Sequence, residues 1–106
     1  MQRLTGLFTP PPDGELGDFT QHLVVPDLSV GTYTIPAHGV DDQTPHTEDE
    51  IYVVMHGRAR LVTPDGDVPV GPGDVLYVPA GEEHRFVDIT ENLSTLVVFA
   101  PAYRFS

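Results

Sequence analysis

The chain has 106 residues, a formal net charge of −11, no cysteine and no lysine. That length suits one domain, able to bury about two-thirds of the surface its unfolded chain exposes. The acidity repels nucleic acid and anionic membranes. The missing cysteine rules out disulfides and thiol chemistry, and the missing lysine rules out side-chain Schiff bases. No apolar leader opens the chain and no stretch approaches the roughly 20 apolar residues that span a bilayer, so a cytoplasmic protein is expected.

In chain order, residues 1–18 read as an irregular N-terminal arm built around Pro10-Pro11-Pro12 and Asp13-Gly14. Residues 19–106 read as a single β domain. Runs rich in Val, Ile, Thr, Tyr and Phe, punctuated by Gly, Pro and Asp, predict strands over 20–25, 29–35, 50–55, 59–63, 68–70, 74–78, 84–88 and 93–99. Pro64-Asp65-Gly66-Asp67 and Gly71-Pro72-Gly73 mark turns. No window sustains a helical period. Eight short strands in this length predict an all-β antiparallel jelly-roll barrel.

Two segments carry the chemistry. The first holds Gln43, Thr44, His46 and Glu50 ahead of Gly57; the second holds Gly73, Pro79, Gly81 and His84. Two imidazoles and a carboxylate form the ligand set of an open facial metal site. Side chains two or four apart on a strand share a face, so an extended chain here would turn Thr44, His46, Glu50 and Tyr52 together into the barrel. By the same parity Phe86 and Asp88 would follow His84, with Asp88 placed to orient it. Tyr52, Val54 and Phe86 are candidate pocket walls, and Gln43 and Thr44 could hydrogen-bond a substrate. Thr44 and Tyr52 are the candidate catalytic side chains. Glu48 and Asp49 read as solvated loop charges, and Arg58 and Arg60 as a surface ladder.

These segments resemble the two motifs of the cupin superfamily, G-x5-H-x-H-x3,4-E-x6-G and G-x5-P-x-G-x2-H-x3-N. His46, Glu50 and Gly57 reproduce the second half of the first motif. Gly73, Pro79, Gly81 and His84 match the second, with Asp88 where the pattern has Asn. The resemblance covers about residues 20 to 100 and implies a double-stranded β-helix of small single-domain type. It departs at Thr44, which stands where the family's leading histidine falls, and at Gly39, one residue closer than the pattern asks. The implied metal ligands are therefore His46, Glu50 and His84. Such a set suits Fe(II) first, with Mn, Ni or Zn as alternatives. The expected activity is that of a non-haem Fe(II) oxygenase on a small molecule. A metal-dependent isomerase or lyase, or a non-enzymatic small-molecule binder, are the other readings. Ile51, Val53 and Met55, on the face opposite Glu50, predict a covered surface and a homodimer.

Overall fold

The computed structural model describes residues 1–11 and 14–104. Pro12 and Asp13 of the expected arm, and the last two positions of the expected barrel, lie outside the described residues. Eight strands form: β1 (Asp18–Val25), β2 (Leu28–Ile35), β3 (Asp49–His56), β4 (Ala59–Thr63), β5 (Gly66–Val70), β6 (Val75–Val78), β7 (Arg85–Val87) and β8 (Leu93–Ala100). No helix occurs among the described residues, so none is long and apolar enough to cross a membrane. Each predicted strand is present, with ends that differ by no more than two residues.

The strands make a five-stranded sheet in the order β1-β2-β8-β3-β6 and a three-stranded sheet in the order β5-β4-β7, all antiparallel. Directly opposed residues in antiparallel strands share a face, so the register sorts the large sheet into an inner and an outer side. Phe99, Glu50 and Val78 align across β8, β3 and β6, and Gly31, Val97, Tyr52 and Leu76 align one step further along. These rows face the small sheet and enclose the core of Ile35, Tyr52, Val54, Phe86, Leu93, Val97 and Phe99. Glu50 is thus carried into the interior by a strand whose other inward residues are apolar, and it is almost fully buried.

The outer side alternates with it. Leu23, Val30, Val98, Ile51 and Tyr77 form one row, and Thr32, Leu96, Val53 and Val75 the next. Tyr77 and Val75, on the edge strand β6, are about 60% exposed, at 62% and 63%. Ile51, Val53 and Met55 belong to this outer side, as their parity requires.

The N-terminal arm lies against the barrel. Phe8 meets His56 edge-on at 6.4 Å, and Leu16 bridges to Val40. Residues 41–46, in contrast, form no strand. Strand β3 begins only at Asp49, so the alternation assumed back to Thr44 does not reach it, and Thr44 is exposed. The parity assumed beyond β7 fails for a related reason. Asp88 follows the last strand residue, has φ of 51°, and is exposed rather than turned toward His84.

Gly57 explains one motif position. Its φ of 89° lies where L side chains are strained, and a Cβ there would collide with the Asn92 carbonyl and the Leu93 backbone at the start of β8. Gly57→Ala is expected to destabilise the fold by about 2–4 kcal/mol, combining backbone strain with overpacking. Urea denaturation checks this: a midpoint equal to that of the parent would show that the β3–β4 connection tolerates a side chain.

Candidate functional site

The two motif loops are pinned to each other before any site chemistry begins. The Gly81 N–H donates to the His46 carbonyl at 2.7 Å, and the Ala80 N–H donates to Asp49 Oδ1 at 2.9 Å. Asp49, expected to be a solvated charge, therefore anchors the turn that delivers His84. Arg60 is a surface residue as expected, with its guanidinium 3.0 Å from Asp67 across the β4–β5 hairpin.

His84 meets Glu50 inside the barrel, Nε2 to Oε1 at 3.2 Å, with both side chains almost wholly buried. Its Nε2 is also 3.0 Å from the Tyr52 hydroxyl. Its Nδ1 is 2.9 Å from the Glu82 carbonyl, which can only accept, so that nitrogen carries a proton. Both ring nitrogens thus face acceptor oxygens, an arrangement that favours the doubly protonated ring. Burial alone would lower the His84 pKa. The hydrogen bonds to Glu50 and to the Glu82 carbonyl, with the charges of Glu50 and Asp41, outweigh burial and hold it above the ordinary histidine value. Burial, followed by the charge of Glu50, raises the Tyr52 phenol well above its usual range, so Tyr52 stays a neutral donor.

Behind this pair stands a residue that the sequence did not single out. Asp41, 2% exposed, accepts from the Tyr33 hydroxyl at 2.7 Å and the Gln43 N–H at 3.2 Å on Oδ1. On Oδ2 it accepts from Gln43 Nε2 at 3.0 Å and the Phe86 N–H at 2.9 Å. Four donors converge on one side chain, which suits a carboxylate and leaves no acceptor for a carboxyl proton. Burial, then the charge and hydrogen bond of Asp41, push the Tyr33 phenol far above its ordinary pKa. Nothing in the sequence flagged Asp41. Its donors come from positions 33, 43 and 86, and beside Asp42 it reads as one more acidic loop residue. Gln43, anchored to Asp41, places Nε2 2.9 Å from the Tyr52 hydroxyl and so joins the carboxylate to the Tyr52–His84–Glu50 cluster.

Two cavities flank that cluster. The inner one, about 150 Å³, is bordered by Phe19, Tyr33, Gln43, His46, Glu50, Tyr52, Val97, Phe99 and Tyr103. The outer one is an open cleft of about 710 Å³ bordered by Gln43, Thr44, Thr63, Glu83, His84 and Arg85 among others. Gln43 borders both. Thr44 borders the outer cleft together with His84, and not the inner cavity that Glu50 borders. Val54 and Phe86, candidate pocket walls, are core residues at 0% and 1% exposure and border neither cavity.

The three expected metal donors are brought together only in part. Glu50 touches His84, and His46 borders the same inner cavity as Glu50. The His46 ring, however, packs edge-on against Phe99 and Tyr103, each centroid 4.8 Å away. Among the described residues no three His, Asp or Glu side chains are grouped so as to hold an ion. As placed, the donors do not fit a three-ligand centre, because His84 is committed to Glu50, Tyr52 and Glu82 and His46 to two aromatic rings. His22, 2.9 Å from Thr32 Oγ1, and His56 take no part.

An antiparallel two-sheet barrel with a histidine–carboxylate pair inside it and a cavity alongside defines a jelly-roll β protein. The chain belongs to the cupin family, whose cupin-domain model matches residues 31–99. An uncharacterized protein of Streptomyces coelicolor is 44% identical over 85 residues, 80% of this chain and 81% of that protein. An RmlC-like cupin from Desulfovibrio desulfuricans superposes with a TM-score of 0.77 at 20% identity, covering 97% of this chain and 99% of the other. The DMSP lyase DddQ from Ruegeria pomeroyi superposes with a TM-score of 0.70 at 22% identity, covering 77% of this chain and 42% of the lyase. At these identities the structural matches establish the shared fold.

Two outcomes are expected from this geometry. Asp41→Asn replaces an acceptor with a donor facing other donors and should destabilise by about 3 kcal/mol, against about 1–2 for Tyr33→Phe. Equal effects in urea melts would show that Asp41 is not the hub. For His84 the folded-state pKa is raised, so its pairing contributes fully below the unfolded value of about 6.5 and is lost as pH rises through the folded value. An NMR titration of His84 should therefore give a midpoint above about 6.5, and Glu50→Gln should lower it. A midpoint below that value in the parent protein would contradict the pairing.

Proposed function

We propose that this cupin takes a small, largely apolar molecule into its inner cavity and transfers a proton on it through Glu50, His84 and Tyr52. One observation carries the reading: Glu50 and Tyr52 border the cavity on one side and contact His84 on the other. A carboxylate at the cavity wall can accept a proton. The Tyr52 phenol can donate a hydrogen bond to a developing oxyanion, and His84 can stabilise the charge on either partner. The aromatic walls exclude water, which strengthens each of these interactions. This is isomerase or lyase chemistry, performed by side chains. Thr44, in the outer cleft, has a role in admitting substrate rather than in the reaction.

The test is solvent deuterium exchange. Candidate carbonyl compounds incubated with the protein in D2O should gain deuterium at the carbon next to the carbonyl, and Glu50→Gln should slow this by about 10²–10⁴-fold. Exchange that survives in Glu50→Gln would remove Glu50 as the base.

A second reading is the metal centre, with Fe(II) ahead of Mn, Ni or Zn and oxygenase activity, and the shared cavity of His46 and Glu50 favours it. It requires His46 to leave its two rings, at about 0.5–1.5 kcal/mol each, and His84 to release Tyr52, at about 1.5–3 kcal/mol. Structural zinc sites gain about 10 kcal/mol or more, so an ion could drive that rearrangement. Anaerobic loading with each ion, followed by elemental analysis, separates the two readings. Less than about 0.1 ion per chain agrees with side-chain chemistry, whereas about one ion per chain, lost in His46→Ala and His84→Ala, assigns the metal centre.

The proposed assembly is a homodimer through the outer side of the five-stranded sheet. Four strands of eight residues, about 26 Å long, and the four-residue β6, side by side at about 4.8 Å, present roughly 550 Å² per copy, enough for a specific interface of more than about 1,000 Å² in total. Two copies of charge −11 repel each other, so association should tighten as salt screens that repulsion. Light scattering should give a dimer that Tyr77→Glu converts to monomer; a monomer at every salt concentration would remove the assembly.

A further inference from the structure

We propose that the inner cavity selects a small organic cation, an ammonium head bearing methyl groups. The inference rests on the reading of that cavity as the ligand site and adds the charge of its occupant. Four features lead to it. The first is the wall: the rings of Phe19, Tyr33, Tyr52, Phe99 and Tyr103 border one space, and the faces of aromatic rings carry negative electrostatic potential. The second is size. A cavity of about 150 Å³ matches a ligand of benzene's volume, about that of a trimethylammonium group with a short substituent.

The third is charge. Two carboxylates lie at the polar end of the space. Glu50 borders it and Asp41 stands behind Tyr33 and Gln43, both of which border it. His84 is the one basic group in contact with them and pairs with Glu50 alone. Asp41 is held entirely by neutral donors, namely a phenol, an amide side chain and two backbone N–H groups. None of the five arginines borders the cavity, so among the described residues the two carboxylates share one nearby cationic group, His84, which touches Glu50 and not Asp41. An anion would meet aromatic walls and a carboxylate, with the His46 imidazole as the one basic side chain in the lining, and is disfavoured. A neutral apolar ligand would fill the volume and leave the charge unmatched.

The fourth is the path. A chain of net charge −11 with a single arginine, Arg85, beside the outer cleft concentrates small cations near its surface before they reach the interior.

The experiment compares charge at constant shape. Choline and its neutral isostere dimethylbutanol, in which carbon replaces the quaternary nitrogen, are titrated calorimetrically at fixed ionic strength, with tetramethylammonium as the minimal probe. Choline is expected to bind saturably, one per chain, at least about tenfold tighter than dimethylbutanol. Phe19→Leu, at a half-buried position, should weaken choline about tenfold with the circular-dichroism spectrum unchanged, and Glu50→Gln should weaken choline but not dimethylbutanol. Dimethylbutanol binding as tightly as choline would overturn the cation assignment and leave the cavity reading standing. Saturable binding of neither would overturn both. Choline binding indifferent to Phe19→Leu and Glu50→Gln would be attraction to the acidic surface and would also overturn the proposal.

Discussion

The carboxylate of Asp41 is the interaction on which the barrel and its site both depend. Strand β7 is three residues long and pairs on one side with β4. The Phe86 N–H, on its other side, finds its acceptor in Asp41 rather than in another strand. The same carboxylate takes the hydroxyl of Tyr33, from β2 of the opposite sheet. One side chain therefore stitches the small sheet to the large one along a seam where no ladder runs. A buried carboxylate is expensive to desolvate, and here four donors offset that penalty while also fixing Gln43, and through it Tyr52. The closure of the fold and the orientation of the polar cluster have a common origin.

Against that seam the two motifs act mainly as positioning devices. Gly57 lets β3 turn where a side chain would strike the start of β8, and Gly81 lets the second loop fold back so that its N–H reaches the His46 carbonyl. The outcome is a close Glu50–His84 contact and a His46 that borders the same cavity from edge-on contacts with two rings. The pattern of residues that resembles the cupin motifs is thus fulfilled in backbone geometry more completely than in donor geometry.

The strands were legible because their signal is local. Alternation, β-branched residues and Gly/Pro punctuation identify all eight, and the same alternation correctly sends Glu50 and Tyr52 inward and Ile51, Val53 and Met55 outward. The resemblance placed His84 beside Glu50, since strand pairing of Glu50 with Val78 brings the second loop over the first. What stayed hidden was non-local or irregular. Asp88 lies just past the end of β7 and Thr44 five residues ahead of β3, where a period of two no longer predicts direction. Asp41 owes its importance to partners spread over more than fifty positions of sequence, and no spacing rule could have gathered them. Tyr103, which caps the aromatic wall, arrives by a C-terminal segment tied to Ser29 and Gln21.

Gln43 borders the outer cleft and the inner cavity at once, and its amide is bonded to Asp41 and Tyr52. It is therefore both a partition and a fastener. A molecule passing from one space to the other along this wall must turn that amide aside, and turning it withdraws donors from the seam between the sheets. If the proposed ligand enters by that route, uptake and loosening form a single linked equilibrium, in which whatever tightens the barrel also slows exchange of its contents.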